Sequence, residues 1–162
     1  FEVDEGALKR LFYANSKKYH PDFFTLAPEE KQAEILELST LNNKAYHTLR
    51  DFDLRMKYIL AERGVLAAEG QNKLPQTFLM EMMDINESVM ELEMDYDAAA
   101  HEQLKMELNT LETSWYDAIA PLLSRYDDAQ ADAADLQAIG NYYLKKRYLL
   151  RIKENLNKFA AR

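Results

Sequence analysis

Apolar residues recur along this chain with the period of an α-helix, and no strand pattern competes. Leu8, Leu11, Phe12 and Tyr19 form a stripe over residues 5–19, weakened at its centre by Asn15 and Ser16. That helix must stop at Pro21, because a proline disfavours helical dihedrals in the residue before it. Pro28, followed by Glu29 and Glu30, opens a second helix, since proline suits the first turn and negative charge suits a helix N-terminus. Its stripe is Ile35, Leu38, Ala45, Tyr46 and Leu49. The pattern predicts two antiparallel helices joined by a loop with His20-Pro21-Asp22 at its tip. A third helix, over 52–63 with Leu54, Tyr58, Ile59 and Leu60, ends where Gly64 can adopt a left-handed cap.

Residues 64–75, "GVLAAEGQNKLP", hold two of the four glycines and one of the four prolines and lack a sustained stripe. The boundaries read from this are a first domain over 1–66, a linker over 67–75 and a second domain over 76–162. The second is expected to be a three-helix bundle with helices over 76–96, 98–126 and 129–160, in which Pro121 should kink or divide the middle helix. Abundant Ala, Leu, Met, Glu, Lys and Gln with few β-branched residues agree with an all-α fold.

Charge adds a partition that the periodicity does not show. The net charge is −8, but residues 75–140 hold 15 Asp and Glu against Lys105 and Arg125, a local 2 − 15 = −13, whereas residues 141–162 are basic apart from Glu154. Such a surface repels phosphate, which argues against nucleic acid and for a partner of basic or mixed charge. The chain has no cysteine, so disulfides, zinc knuckles, cysteine-ligated clusters and thiol catalysis are excluded, and any link to such chemistry runs through a partner. No Glu-x-x-His pair, nucleophile elbow or Gly-rich phosphate loop occurs. His47 and His101 stand alone, each read as a surface or partly buried side chain. No cofactor, metal or enzymatic activity is expected. The longest uncharged run, residues 136–144, falls well short of the roughly 20 apolar residues of a membrane span, and no signal peptide opens the chain. These features predict a cytoplasmic protein.

The helix after Pro75 carries two apolar stripes. At about 100° per residue, Phe78, Met82, Ile85, Val89 and Leu92 fall within about 80° and suffice as a core face. Leu79, Met83, Met90 and Met94, with Met80 at the margin, lie about 140° away, flanked by Asp84, Glu87 and Glu91. Two readings of the second stripe stay open: the far side of a wide bundle-facing arc, or a binding surface. Methionine serves either, and the bordering carboxylates favour binding for Met80, Met83, Asp84, Glu87 and Glu91.

His20-Pro21-Asp22 alone reads as a turn. Its setting says more: it follows a basic helix carrying Lys9, Arg10, Lys17 and Lys18 and ending "KKYHPD", and precedes a helix ending "NNKAYHTLRDFDLRMKYIL". This arrangement resembles a J domain, a helical hairpin whose His-Pro-Asp tip and basic helix engage a DnaK-type ATPase and stimulate its hydrolysis. The resemblance implies that Asp22 offers a carboxylate to an arginine of the ATPase, His20 a directional ring contact and Pro21 a fixed backbone, while Lys9, Arg10, Lys17 and Lys18 steer the encounter.

With "PQTFLMEMMDINESVMELE" leading into an acidic bundle, and "LRDFDLRMKYIL" before the linker, nearly the whole chain resembles the HscB family, J-type co-chaperones of iron–sulfur cluster assembly. The resemblance implies a specialised DnaK-type partner, HscA, or a general one, and an IscU-type scaffold held by the bundle at Leu79, Met80, Met83, Asp84, Glu87 and Glu91, with Tyr148 from the last helix. Tyr148 also reads as a partly buried bundle residue. The family places a short helix before the basic one, and this chain starts at Phe1 without it, so residues preceding Phe1 are expected. Asn15 stands where the family has an apolar residue, and Met83 and Asp84 stand where leucine and glutamate are frequent. Without the resemblance, the residues describe a helical adaptor with no effect on an ATPase.

Overall fold

A computed structural model describes residues 1–68 and 70–159. Among the described residues there are six α-helices, a short 3-10 turn and no strand. The chain is all-α and divides into two units, Phe1–Glu62 and Arg63–Arg162.

The first unit holds α1 (Glu5–Lys18), α2 (Glu29–Arg50) and α3 (Phe52–Glu62). Asp4 caps α1, its carboxylate accepting from the Ala7 N–H at 2.8 Å. Helices α1 and α2 run antiparallel: Phe12 stacks on Tyr46 at 4.2 Å between ring centres, and Ser16 meets Asn42 at 3.1 Å. Asn42 also donates to the Phe12 carbonyl at 3.1 Å. The polar weakening seen at the centre of the α1 stripe is therefore a cross-helix hydrogen-bond site. Leu11, Ala45, Leu54 and Tyr58 are exposed, contrary to the expected stripes. The buried residues are Phe1, Ile35, Met56 and Leu60, with Arg55 buried beside them. The Arg55 side chain donates to the Phe1 carbonyl at 2.7 Å and to that of Leu49, and its guanidinium lies over the Phe52 ring. A buried charge is tolerable here because backbone carbonyls and a ring face replace its water.

The second unit is a three-helix bundle of α4 (Gln76–Met94), α5 (Ala98–Arg125) and α6 (Ala133–Phe159), each packed on the other two. Its main core joins Phe78, Met82, Ile85, Val89 and Leu92 of α4 to Leu104 and Leu108 of α5 and Leu149, Ile152 and Leu156 of α6. Helices α5 and α6 are antiparallel. Lys153 bridges Glu112 at 2.5 Å and Asn109 at 2.7 Å, and Arg125 holds Asp135 across their connection at 2.9 and 2.6 Å.

Three sequence-based expectations change in this unit. Pro121 does not divide α5, which runs on to Arg125; so near the C-terminus, the missing N–H removes little of the hydrogen-bond ladder. Helix α6 starts at Ala133 rather than 129, because Asp132 takes the capping position and accepts from the Ala134 and Asp135 N–H groups. His101 is buried rather than at or near the surface, held by the Leu156 carbonyl at 3.2 Å. At the α5–α6 connection Arg63 donates to the Asp128 carbonyl at 2.6 Å and pairs with its carboxylate. The Arg63 hydrogen bond, with a second from Tyr126, holds the Asp128 carboxyl below the usual range.

Candidate functional site

Each unit presents one surface that its own packing does not use. In the first, α1 ends with Lys17 and Lys18, two cations in the last turn where the helix dipole favours them. The Tyr19 N–H closes the helix on the Asn15 carbonyl at 2.8 Å. The connection to α2 is not a simple loop, because Pro21–Phe24 forms a 3-10 turn. His20 caps it: its Nδ1 accepts from the Asp22 N–H at 3.3 Å. With Nδ1 accepting, the neutral ring carries its hydrogen on Nε2, free to donate outward. Pro21 occupies the first position of the turn, where its fixed φ suits and no N–H is needed. The Asp22 carboxylate is 82% exposed and stands 3.8 Å from His20 Nδ1 at the closest, a solvated pair worth little by itself. Gln32 of α2 ties the far side of the connection, donating to the carbonyls of Thr25 at 3.3 Å and Ala27 at 2.7 Å. The three predicted residues are thus brought together on a pinned backbone with both polar side chains in solvent. Lys9, Arg10, Lys17 and Lys18 are all exposed, and Lys18 lies over the Tyr19 ring.

In the second unit the two stripes of α4 have separate fates. Phe78, Met82, Ile85, Val89 and Leu92 are buried in the bundle, whereas Leu79, Met80, Met83, Met90 and Met94 are all exposed. Asp84, Glu87 and Glu91 are exposed too, and none of the three forms an ion pair among the described residues. A groove of about 410 Å³ between α4 and α5, with Glu91, Asp95, Asp97 and Glu107 on its walls, continues the negative edge. Tyr148 is partly buried: its ring meets the edge of Phe78 at 5.5 Å, and its hydroxyl accepts from Asn86 Nδ2 at 3.0 Å. Asn86 lies about 60° round the helix from Met83, so the Tyr148 hydroxyl borders the exposed stripe. No group of three or more possible metal ligands occurs among the described residues. What it can do chemically is take an apolar ridge with basic residues beside it.

Comparison with known proteins agrees with this geometry. Residues 74–157 match a family described as the HSCB C-terminal oligomerisation domain. A "Co-chaperone protein HscB homolog" of Ralstonia nicotianae is 34% identical over 136 residues, covering 82% of this chain and 77% of the relative. The chain belongs to the HscB co-chaperone family. HscB structures from Vibrio cholerae (TM-score 0.70, 21% identity, 99% of this chain and 90% of that one) and human (TM-score 0.71, 24% identity, 96% and 74%) share its fold. No helix among the described residues is long and apolar enough to cross a membrane.

Two features of these HscB-family surfaces escape the sequence reading, the ring of Phe23 and the side chain of Asn86. Phe23 is largely exposed and its ring lies 5.4 Å from that of His20, an aromatic that the "HPDFF" run itself signals. Met90 and Met94, which the helical period already places in the second stripe, are exposed with it although the implied contact set leaves them out. Asn86 carries no periodic signal; a polar residue between the two stripes is its only mark. Its hydrogen bond to Tyr148 is testable by a double-mutant cycle in urea unfolding. Asn86→Ala and Tyr148→Phe are each expected to cost about 1 kcal/mol, and the double variant less than their sum. Strict additivity would mean that the two side chains do not interact.

Proposed function

We propose that this chain is a cytoplasmic co-chaperone of iron–sulfur cluster assembly that holds an IscU-type scaffold on α4 and, through its His-Pro-Asp turn, stimulates ATP hydrolysis by an HscA-like DnaK-type chaperone. The observation that carries the reading is the second stripe of α4, exposed and edged by carboxylates that form no ion pair among the described residues, in a bundle whose core is complete without it. Contiguous exposed apolar surface of this kind marks interaction sites. Burying Leu79, Met80 and Met83 would supply binding energy, while Asp84, Glu87 and Glu91 would select a partner with basic residues around its apolar patch. Tyr148 would present its hydroxyl edge at the border of the contact.

The role of the first unit follows from its charges and its turn. Lys9, Arg10, Lys17 and Lys18 would draw in an acidic surface and raise the association rate, an effect that salt weakens. Asp22 would pair with an arginine of the ATPase, a charge-assisted bond stronger than a neutral one. His20 and Pro21 would hold that carboxylate in place, and Nε2 of His20 would add a directed donor. The chain itself would break no bond. It would stabilise the hydrolysis-competent state of its partner.

The alternative is a helical adaptor without effect on an ATPase, and ATP turnover separates the two. In single-turnover assays with a DnaK-type chaperone, His20→Gln and Asp22→Asn are each expected to abolish most stimulation with helix content and scaffold affinity unchanged; full stimulation by both variants would defeat the proposal. In calorimetry with an IscU-type scaffold, the triple variant Met83→Ala, Glu87→Ala, Glu91→Ala is expected to bind at least about tenfold more weakly, the loss of one or two hot-spot contacts. An unchanged affinity would return this stripe to bland surface.

A further inference from the structure

Sulfur in this chain is confined to seven methionines, since there is no cysteine. Their exposure is sharply divided. Met56 and Met82 are 0% and 2% exposed, whereas Met83 and Met90 are 65% and 63% exposed and Met80, Met94 and Met106 are open as well. Four of the five exposed thioethers stand on α4, and Met83, Met90 and Met94 fall within about 40° of one another on the helix. Met82 and Met83 are chain neighbours turned about 100° apart, one packed against α5 and α6 and the other in water.

We propose that Met83 and Met90 are oxidative modification sites for hydroperoxides, and that their conversion to sulfoxides releases the partner of α4. The step balances with hydrogen peroxide as oxidant. A sulfur lone pair attacks one peroxide oxygen, the S–O bond forms as the O–O bond breaks, the leaving hydroxide takes the remaining proton from the transferred oxygen, and one water departs. Sulfur loses two electrons and the peroxide gains them. Exposure controls which methionines react, because the oxidant must reach the sulfur. The product is polar and chiral where the reactant was apolar and flexible, so it disrupts a methionine-rich contact surface and leaves the bundle core untouched. The change is reversible by the paired methionine sulfoxide reductases, one for each epimer. The effect on docking rests on the scaffold-binding reading; the assignment of the modification sites does not.

Two measurements test the two parts separately. Peptide mapping by mass spectrometry of the full chain treated with hydrogen peroxide reads the sites. Met83 and Met90 are expected to convert more than about tenfold faster than Met82 and Met56; comparable rates at Met82 and Met83 would overturn the assignment. Calorimetry with a purified IscU-type scaffold reads the effect. The oxidised chain is expected to bind on the order of tenfold more weakly, with affinity restored by the two reductases. The double variant Met83→Leu, Met90→Leu, which keeps an apolar side chain of similar volume, is expected to have the same affinity after peroxide as before it, whatever that starting affinity is. Oxidation of both sites with unchanged affinity would overturn the release, as would an equal peroxide-induced loss in the leucine variant. Failure of the untreated chain to bind would instead sink the scaffold-binding reading and the release with it, while the mapping would still decide the sites.

Discussion

A helix in a three-helix bundle can bury a limited arc of its surface, and in α4 that arc is filled by Phe78, Met82, Ile85, Val89 and Leu92. These five side chains already meet α5 on one side and α6 on the other, so nothing in the fold asks for a further apolar row. The row is nonetheless there, and it stays in water. Everything specific about the second unit follows from this surplus: a rigid core face holds the exposed face straight, and acidic side chains border the ridge. Phe78 ties the two faces together, since its buried ring packs edge-on to both Trp115 and Tyr148 and lies under Lys145. Tyr148 is thereby fixed at the margin of the exposed ridge by a ring contact on one side and by Asn86 on the other.

The first unit solves a different problem, the display of two polar side chains on a backbone that does not wander. Pro21 fixes one dihedral, His20 closes the turn on the Asp22 N–H, and Gln32 anchors the exit. Each constraint removes conformational freedom in the free chain, so less ordering cost would fall on binding of the proposed partner. Phe23 adds an exposed ring against His20 and widens the surface beyond the tripeptide. The basic side chains of α1 stand exposed, and under the proposed function their value would lie in encounter.

Local signals fixed the elements more readily than the contacts. Pro28 and Pro75 mark helix starts in the sequence and sit at the N-caps of α2 and α4, because proline acts through its own φ and missing N–H. The period of α4 separated its two stripes, and the division held in the burial pattern. What stayed hidden depends on residues distant in sequence. Arg55 is buried because the Phe1 carbonyl comes to meet it, and His101 because the Leu156 carbonyl does; neither partner leaves a mark near the residue it receives. A start of α6 at 129 would put Asp128 in the capping position, but Arg63 and Tyr126 engage its carboxylate, and Asp132 caps the helix instead. The 3-10 turn at His20 was invisible for a related reason: it is held by a side-chain nitrogen acting as a backbone acceptor.

If both surfaces bind as proposed, sharing one chain would make them act as one device, the tether holding a bound scaffold near the chaperone at an effective concentration that free partners do not reach. The sharpest measurement mixes, at low equal concentration, the Asp22→Asn chain with the chain substituted at Met83, Glu87 and Glu91, and follows scaffold-dependent ATP turnover by a DnaK-type chaperone. Each variant keeps one intact surface. The mixture is expected to stay well below the unmodified chain at matched concentration, because no single molecule carries both. Full recovery of turnover by the mixture would contradict that shared action.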